Sequence, residues 1–331
     1  MELLNQIQQP NQIINDYDVI KNASHFIEAN TIPVTLDHLK KDCIIPVFSK
    51  DNESTISHYE FINKTVEVAQ KLFPDAILNP PEVRVSHIVK GRIPSAVGKP
   101  AKELQEHEKT IYYERCAFVI EIPQISEMVN GNKLNLTIGG VRSLSHENLY
   151  AKKSLEKFKV FIGFQNKVCT NLCVSTDGYA NDIRIGSILE LEETINNLSL
   201  QWNKEKQLGT LEMMSKFELN NEQFAHLVGK LKMYQHLPRE EQQTTFPLAI
   251  NDNQINTIIR DYFNCRDFSR QENGAINLWN LYNLITGANK SSYIDSFLDR
   301  GLFAYEFTQD LCNSIQNQKP NWYLNKLMIN N

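Results

Sequence analysis

Hydrophobic and polar positions change period twice along the chain. Over residues 57–73, Phe61, Thr65, Val68 and Leu72 recur at three- and four-residue steps and Pro74 follows, which predicts one amphipathic helix. From residue 81 to about 191 the period is two. Val83, Val85, His87 and Val89 alternate with Arg84, Ser86, Ile88 and Lys90, and Cys116, Phe118, Ile120 and Ile122 alternate with Arg115, Ala117, Val119 and Glu121. Leu134, Leu136 and Ile138 alternate with Lys133, Asn135 and Thr137, and Phe158, Val160, Ile162 and Phe164 with Lys159, Phe161 and Gly163. Successive strand side chains point to opposite faces, so this alternation predicts a largely antiparallel sheet of half-buried strands with one face on a core. Asn130-Gly131-Asn132 marks a turn, and Gly139-Gly140 is expected to close the third run. Beyond about residue 205 helical spacing returns, in 222–234, 251–263, 275–286 and 291–316. Asn251/Asp252 and Ser291/Ser292 are the expected caps there, and Gly287 the expected stop.

The fold class that follows is α+β, with an N-terminal strand–helix unit, a central sheet and a C-terminal helical subdomain. Residues 44–48 supply the first strand. The expected divisions are a loosely attached polar arm (1–45), a sheet-containing α+β domain (46–204) and a helical subdomain (205–331). A length of 331 residues suits such a plan, and 41% hydrophobic with 22% charged residues excludes disorder as the default.

Six cysteines spread over the whole length do not form the dense framework of a secreted disulfide scaffold. The N-terminus lacks the basic and apolar regions of a signal peptide, and no apolar run approaches the roughly 20 residues of a membrane span. The expected compartment is the cytoplasm, with no membrane partner.

Several strings carry a resemblance: VRVSHIVKGRIPSAVGKPAKEL (83–104), EKTIYYERCAFVIEIP (108–123), LTIGGVRSLSHENLYAKKSLEKFKVFIGFQNKVCTNLC (136–173) and LWNLYNLITGANKSSYIDSFLDR (278–300). They resemble domain-of-unknown-function family 3871, found in Bacteroidota and often carried on mobile elements. The match runs from about residue 46 to 307. The VCTN string and the helix of Trp279 and Tyr282 are also similar to a broader phage/plasmid-like family without assigned function. The resemblance implies a setting of mobile DNA in the bacterial cytoplasm and supplies no active-site residues.

Candidate chemistry is sparse. Between Gly91 and Gly98-Lys99 six residues intervene and Pro100 follows, whereas a phosphate loop needs four and then a Ser or Thr for magnesium, so no nucleoside triphosphate site is expected. Cys169 and Cys173 fall four apart on one predicted strand without a second Cys/His pair to complete a zinc site, so reduced structural thiols and no metal or cofactor are expected. His87 falls on the apolar parity of its strand, as a core histidine would, and His58 near the first helix cap. No spacing marks a carboxylate pair or a nucleophile–base couple, so no catalytic set is assigned. The aromatic residues from Trp279 to Phe307 have core spacing, and 289–292 form a polar loop.

Charge, in contrast, is segregated. The net charge is −5, yet residues 83–167 hold 14 basic and 8 acidic residues, net +6, which leaves −11 for the rest. Strand parity places Arg84, Lys90, Arg92, Arg115, Lys133, Lys159 and Lys167 outward against one acid, Glu121, with Tyr113 and Phe161 among them. Cations interleaved with aromatics suit a surface that tracks phosphates and stacks bases. The expected function is a non-enzymatic mobile-element accessory protein that binds nucleic acid, single-stranded in particular, through this face. A protein-binding regulatory or anti-defence factor is the alternative, and a metal-dependent nuclease the third.

Overall fold

The computed structural model describes residues 25–45, 55–147 and 155–324. In order these form β1 (Ile32–Pro33), α1 (Leu36–Lys41), α2 (His58–Leu72), β2 (Glu82–Val85), β3 (Ile88–Arg92), β4 (Lys109–Tyr113), β5 (Arg115–Val129) and β6 (Asn132–Ser143). Then come β7 (Glu156–Asn166), β8 (Leu172–Ile185), α3 (Ile188–Gln201), α4 (Lys204–Met214), β9 (Glu218–Leu219), α5 (Asn221–Met233) and α6 (Arg239–Thr244). The last four are α7 (Asp252–Asn264), β10 (Ile276–Asn277), α8 (Leu278–Asn289) and α9 (Ile294–Gln316). The fold is α+β: a six-stranded antiparallel sheet, ordered β1-β2-β5-β6-β7-β8, with helices concentrated toward the C-terminus. Most of the expected first strand, residues 46–48, lies outside the described residues.

The turn at Asn130-Gly131 is formed as its sequence requires, both residues adopting positive φ (50° and 79°) so that β5 and β6 pair as a hairpin. Gly139 and Gly140, by contrast, do not end their strand. β6 runs on to Ser143, and the glycines sit mid-strand because a Cβ would fall 2.2 Å from the Phe118 carbonyl at one and 2.5 Å from the Phe61 ring at the other. Helix returns earlier than the pattern predicts. α3 starts at Ile188, with Ser187 accepting from the Glu190 amide, and buries Leu191, Ile195 and Leu198. α8 passes Gly287 to Asn289, and α9 is preceded by Tyr293, whose side chain gives no cap bond, not by a serine cap. The Asn251 cap is formed, reciprocated by Gln254.

Both faces of the sheet carry core residues. One face of the sheet carries Phe118, Ile120, Leu136, Ile138, Phe158, Val160 and Ile162 into the main core with Phe61 and Ile62 of α2 and the buried leucines of α3. The other carries Ala117, Val119, Val141, Phe161 and Val174 into a second core, closed by Ile294, Phe297 and Leu298 of α9 and by Phe26 and Ile27. Residues 25–45, expected in the arm, therefore hold part of this layer in place, and β1 pairs β2 at the sheet edge. The alternation of the strands still holds. It separates a mainly apolar face, which also buries the Arg142–Glu156 ion pair, from one where small and apolar residues share the surface with cations.

Candidate nucleic-acid interface

Three of the eight candidate residues, Arg115, Lys159 and Phe161, are brought together against α9. Arg115 Nε lies 2.5 Å from Asp295 Oδ1, and its Nη1 lies 2.9 Å from Glu114 Oε2. Lys159 Nζ donates to Asp299 Oδ2 at 2.5 Å and to the Asp295 carbonyl at 2.7 Å, while the Tyr179 hydroxyl donates to the second Asp299 oxygen at 2.6 Å. Burial first, and then the Asp299 charge, push the Tyr179 hydroxyl far above its ordinary pKa, so it remains a donor. Phe161 is 1% exposed in the second core and offers no stacking face. His146 Nε2, 3.8 Å from Asp295 Oδ2, shares with Ser143, Lys157, Lys159 and Asp182 a cavity of about 120 Å³ beside these pairs.

The remaining candidates fall in three places: Arg84 near the sheet edge, Lys133 beside Lys167, whose amide donates to the Lys133 carbonyl at 3.0 Å, and Lys90 with Arg92. Arg84 is buried and donates from Nε and Nη2 to the hydroxyl and carbonyl of Thr31, which clamps β1, and burial lowers its pKa. Lys167 lies 2.5 Å from Glu121. Burial alone would raise the pKa of that carboxyl, but hydrogen bonds from Lys167, then Asn135, with Asn79 behind them, hold it below the ordinary value. Lys133 is exposed at the far end of β6 from Ser143, the partner of Arg115. Ten residues separate the two positions, about 30 Å along the strand.

Lys90 and Arg92 belong to a different element. Parity was expected to run unbroken from Val83 to Lys90, but β2 stops at Val85, and the Ser86 amide donates to the Arg115 carbonyl. β3 then pairs with β4 alone, in a separate two-stranded sheet. The break turns His87 to solvent, where Nε2 lies 3.1 Å from Glu114, correcting its assignment to the core. Tyr113, expected outward, is 2% exposed, its hydroxyl 3.0 Å from His38 Nε2 and its carbonyl accepting from His58 Nε2.

The β3–β4 arm has its own charge pattern. Directly opposite residues of an antiparallel pair share a face, so the register sets Lys90 across from Ile111 and Arg92 across from Lys109. Two like charges face one another on one rung, an arrangement that costs stability unless something answers it. Lys109 is answered by Glu106 at 2.5 Å; Arg92 reaches the Lys99 carbonyl. Residues 86–113 hold five cations (Lys90, Arg92, Lys99, Lys102, Lys109) and three carboxylates. Among the described residues no carboxylate pairs with Lys90, Arg92 or Lys102. The tip is ordered by Gly98 at φ 95° and by Lys99, whose ammonium pairs with Glu108. That hydrogen bond, seconded by the Gln105 amide, holds the Glu108 carboxyl below its ordinary pKa. Sequence parity missed Lys102 and Lys109. The β-branched and aromatic run Thr110-Ile111-Tyr112-Tyr113 in the quoted string was the available signal for a second hairpin strand.

Residues 7–324 match a family model described as "Domain of unknown function, B. Theta Gene description (DUF3871)". The chain belongs to DUF3871. No curated protein and no solved structure matches it.

Two strings that carry the sequence resemblance of this DUF3871 chain meet in space. Asn283, one turn beyond Trp279 on α8, accepts from Asn166 Nδ2 at 3.2 Å and lies 3.7 Å from the Cys169 sulfur. Asn171 Nδ2 donates to the Asn283 carbonyl and to Thr286 Oγ1, each at 3.0 Å. Cys169 sits in the turn before β8 and not on the strand with Cys173, with Thr170 at φ 57° between it and β8. The 289–292 segment, expected to be an exposed loop, is buried at Asn289, Lys290 and Ser292. Lys290 donates to the Cys169 carbonyl and, at 2.9 Å, to Thr170 Oγ1; burial lowers its pKa. Burial pushes the Cys169 thiol up to about 11 and those of Cys43, Cys173 and Cys312 to about 12, so all four stay protonated at neutral pH. Among the described residues no group of three or more His, Cys, Asp or Glu converges as a metal site would require.

Proposed function

We propose that this chain is a non-enzymatic nucleic-acid-binding protein whose contact surface is the β3–β4 arm. One observation carries the proposal: Arg92 and Lys109 occupy opposite positions on the arm with Lys90 next to them on the same face, and only Lys109 pairs with a carboxylate among the described residues. A polyanion is the partner that answers such a rung, because each phosphate neutralised by Lys or Arg releases condensed counterion. The family resemblance adds a setting, accessory to mobile DNA. Arg115 and Lys159 drop out of the contact set, since α9 carboxylates already hold them.

Fluorescence anisotropy with labelled oligonucleotides at about 50 and 200 mM salt tests this. Three to four phosphate contacts predict an affinity loss of roughly 20- to 100-fold between the two conditions. Lys90→Glu with Arg92→Glu should abolish most binding uniformly across sequences, because backbone contacts carry no base information. Charge reversal keeps the exposed β3 edge guarded against edge-to-edge pairing, so lost binding would not reflect aggregation. Absence of binding at low micromolar protein in low salt would refute the proposal and favour a protein partner.

A further inference from the structure

Resting on that reading, we infer that the arm's ligand is double-stranded DNA, entered at the major groove. A site for single strands combines a basic groove with exposed aromatic rings on which successive bases stack. Among the described residues the cation-bearing face of the arm has no exposed ring; Tyr112, half-buried, lies on the other face, across from Val89. Tyr113 is 2% exposed with its hydroxyl on His38, and Phe161, the aromatic that parity offered for stacking, is sealed beneath α9. What the arm presents beside Lys90 and Arg92 is aliphatic: Ile88, two positions before Lys90 on the same face of β3, is 51% exposed.

Shape points the same way. A two-stranded ribbon, with strands about 4.8 Å apart plus side chains, fits the B-form major groove, which is about 12 Å wide. The Arg92–Lys109 end of the arm is such a ribbon, lying beyond the bridge that Cys43 makes to β4 at Ile111. The five-residue strands give the ribbon a length of about 17 Å. In that position Lys90, Arg92 and Lys109 line one ribbon face, and Lys102 stands exposed at the tip where the ribbon would meet the flanking phosphates. The exposed Ile88 methyls have a natural counterpart in the thymine methyl, the apolar feature of that groove. A-form RNA, whose major groove is deep and narrow, excludes such a ribbon.

The experiment uses the full chain and three labelled probes of one mixed sequence of about 20 nucleotides: duplex DNA, its single strand, and the matching duplex RNA. Duplex DNA should bind at least about tenfold tighter than either of the others at low salt. Lys102→Glu, a substitution at an exposed tip residue, should weaken duplex binding about five- to tenfold with an unchanged melting temperature. Ile88→Ala should reduce the preference for duplex DNA over the single strand. Single-stranded DNA or duplex RNA binding as well as duplex DNA, still lost on Lys90→Glu/Arg92→Glu, would overturn the inference and leave the arm as the contact. If none of the three probes binds, the inference and the reading beneath it both fall.

Discussion

At the scale of single residues, the asparagine bias has a structural outlet. Asn203, Asn220, Asn251 and Asn277 begin α4, α5, α7 and α8, each side chain accepting the amide three residues on. His58 is a different case, since its position fixes its charge. It opens α2 fully buried and donates from Nε2 to the Tyr113 carbonyl at 2.8 Å. Burial, reinforced by the nearby Arg142 cation, lowers its pKa to about 3. The unfolded chain, with a value near 6.5, takes up the proton first. The stability that neutral His58 contributes is therefore complete above about pH 6.5 and is lost progressively as pH falls toward about 3. Between pH 6.5 and 5 the loss from this group should be about 2 kcal/mol. Urea unfolding at both pH values, compared with His58→Gln, measures it; equal acid dependence in the two proteins would exclude His58 as the source. Parity and cap position placed His58 at the helix start, but its burial was not legible, because the carbonyl it meets lies 55 residues away.

At the scale of elements, strand alternation located β5, β6 and β7, because each is long enough for period two to be unmistakable, but it stopped short of their ends: β5 runs on from Ile122 to Val129 and β6 from Ile138 to Ser143. It failed at Ser86-His87, where β2 and β3 are only four and five residues long and a two-residue break takes β3 out of the six-stranded sheet to pair with β4. The C-terminal helices were legible from apolar spacing, and the Trp279 helix illustrates why. Trp279 is 2% exposed, its ring stacked on Tyr282 at 5.7 Å and its Nε1 donating to Asn132 at 2.8 Å, which ties α8 to the β5–β6 turn. Trp279→Ala should destabilise the protein by about 3–5 kcal/mol, through the cavity and the unpaired amide together. Calorimetry would read this as a fall in melting temperature of several degrees. An unchanged transition would contradict the structural role assigned to the ring.

At the scale of the whole molecule, charge segregation read from the sequence divides into two populations that sequence cannot separate. Lys159 and Lys90 look alike along the chain, each a lysine on the polar parity of a strand. They differ because α9, with Asp295 and Asp299 one turn apart, returns from 136 residues away to lie on the first and not on the second. The acidic surplus outside residues 83–167 was the visible sign that some of those cations had internal partners, but it could not say which. The two populations should respond oppositely to mutation. Asp299→Asn removes the charge partner of Lys159 and one acceptor of Tyr179 in a half-buried layer, a loss of about 1–2 kcal/mol. It should lower the melting temperature by a few degrees and leave oligonucleotide affinity at constant salt unchanged. Lys90→Glu/Arg92→Glu should do the reverse. No described carboxylate is lost from a pair, and relief of the Arg92–Lys109 repulsion offsets what the substitutions remove, so the melting temperature should hold while affinity collapses. Thermal unfolding and anisotropy on the same four proteins, wild type, each variant and their combination, decide the matter. The combined protein should show both losses, additive within about 0.5 kcal/mol because the sites share no partner. Coupling well beyond that margin, or weaker binding in Asp299→Asn, would mean that the α9 layer and the arm act as one surface.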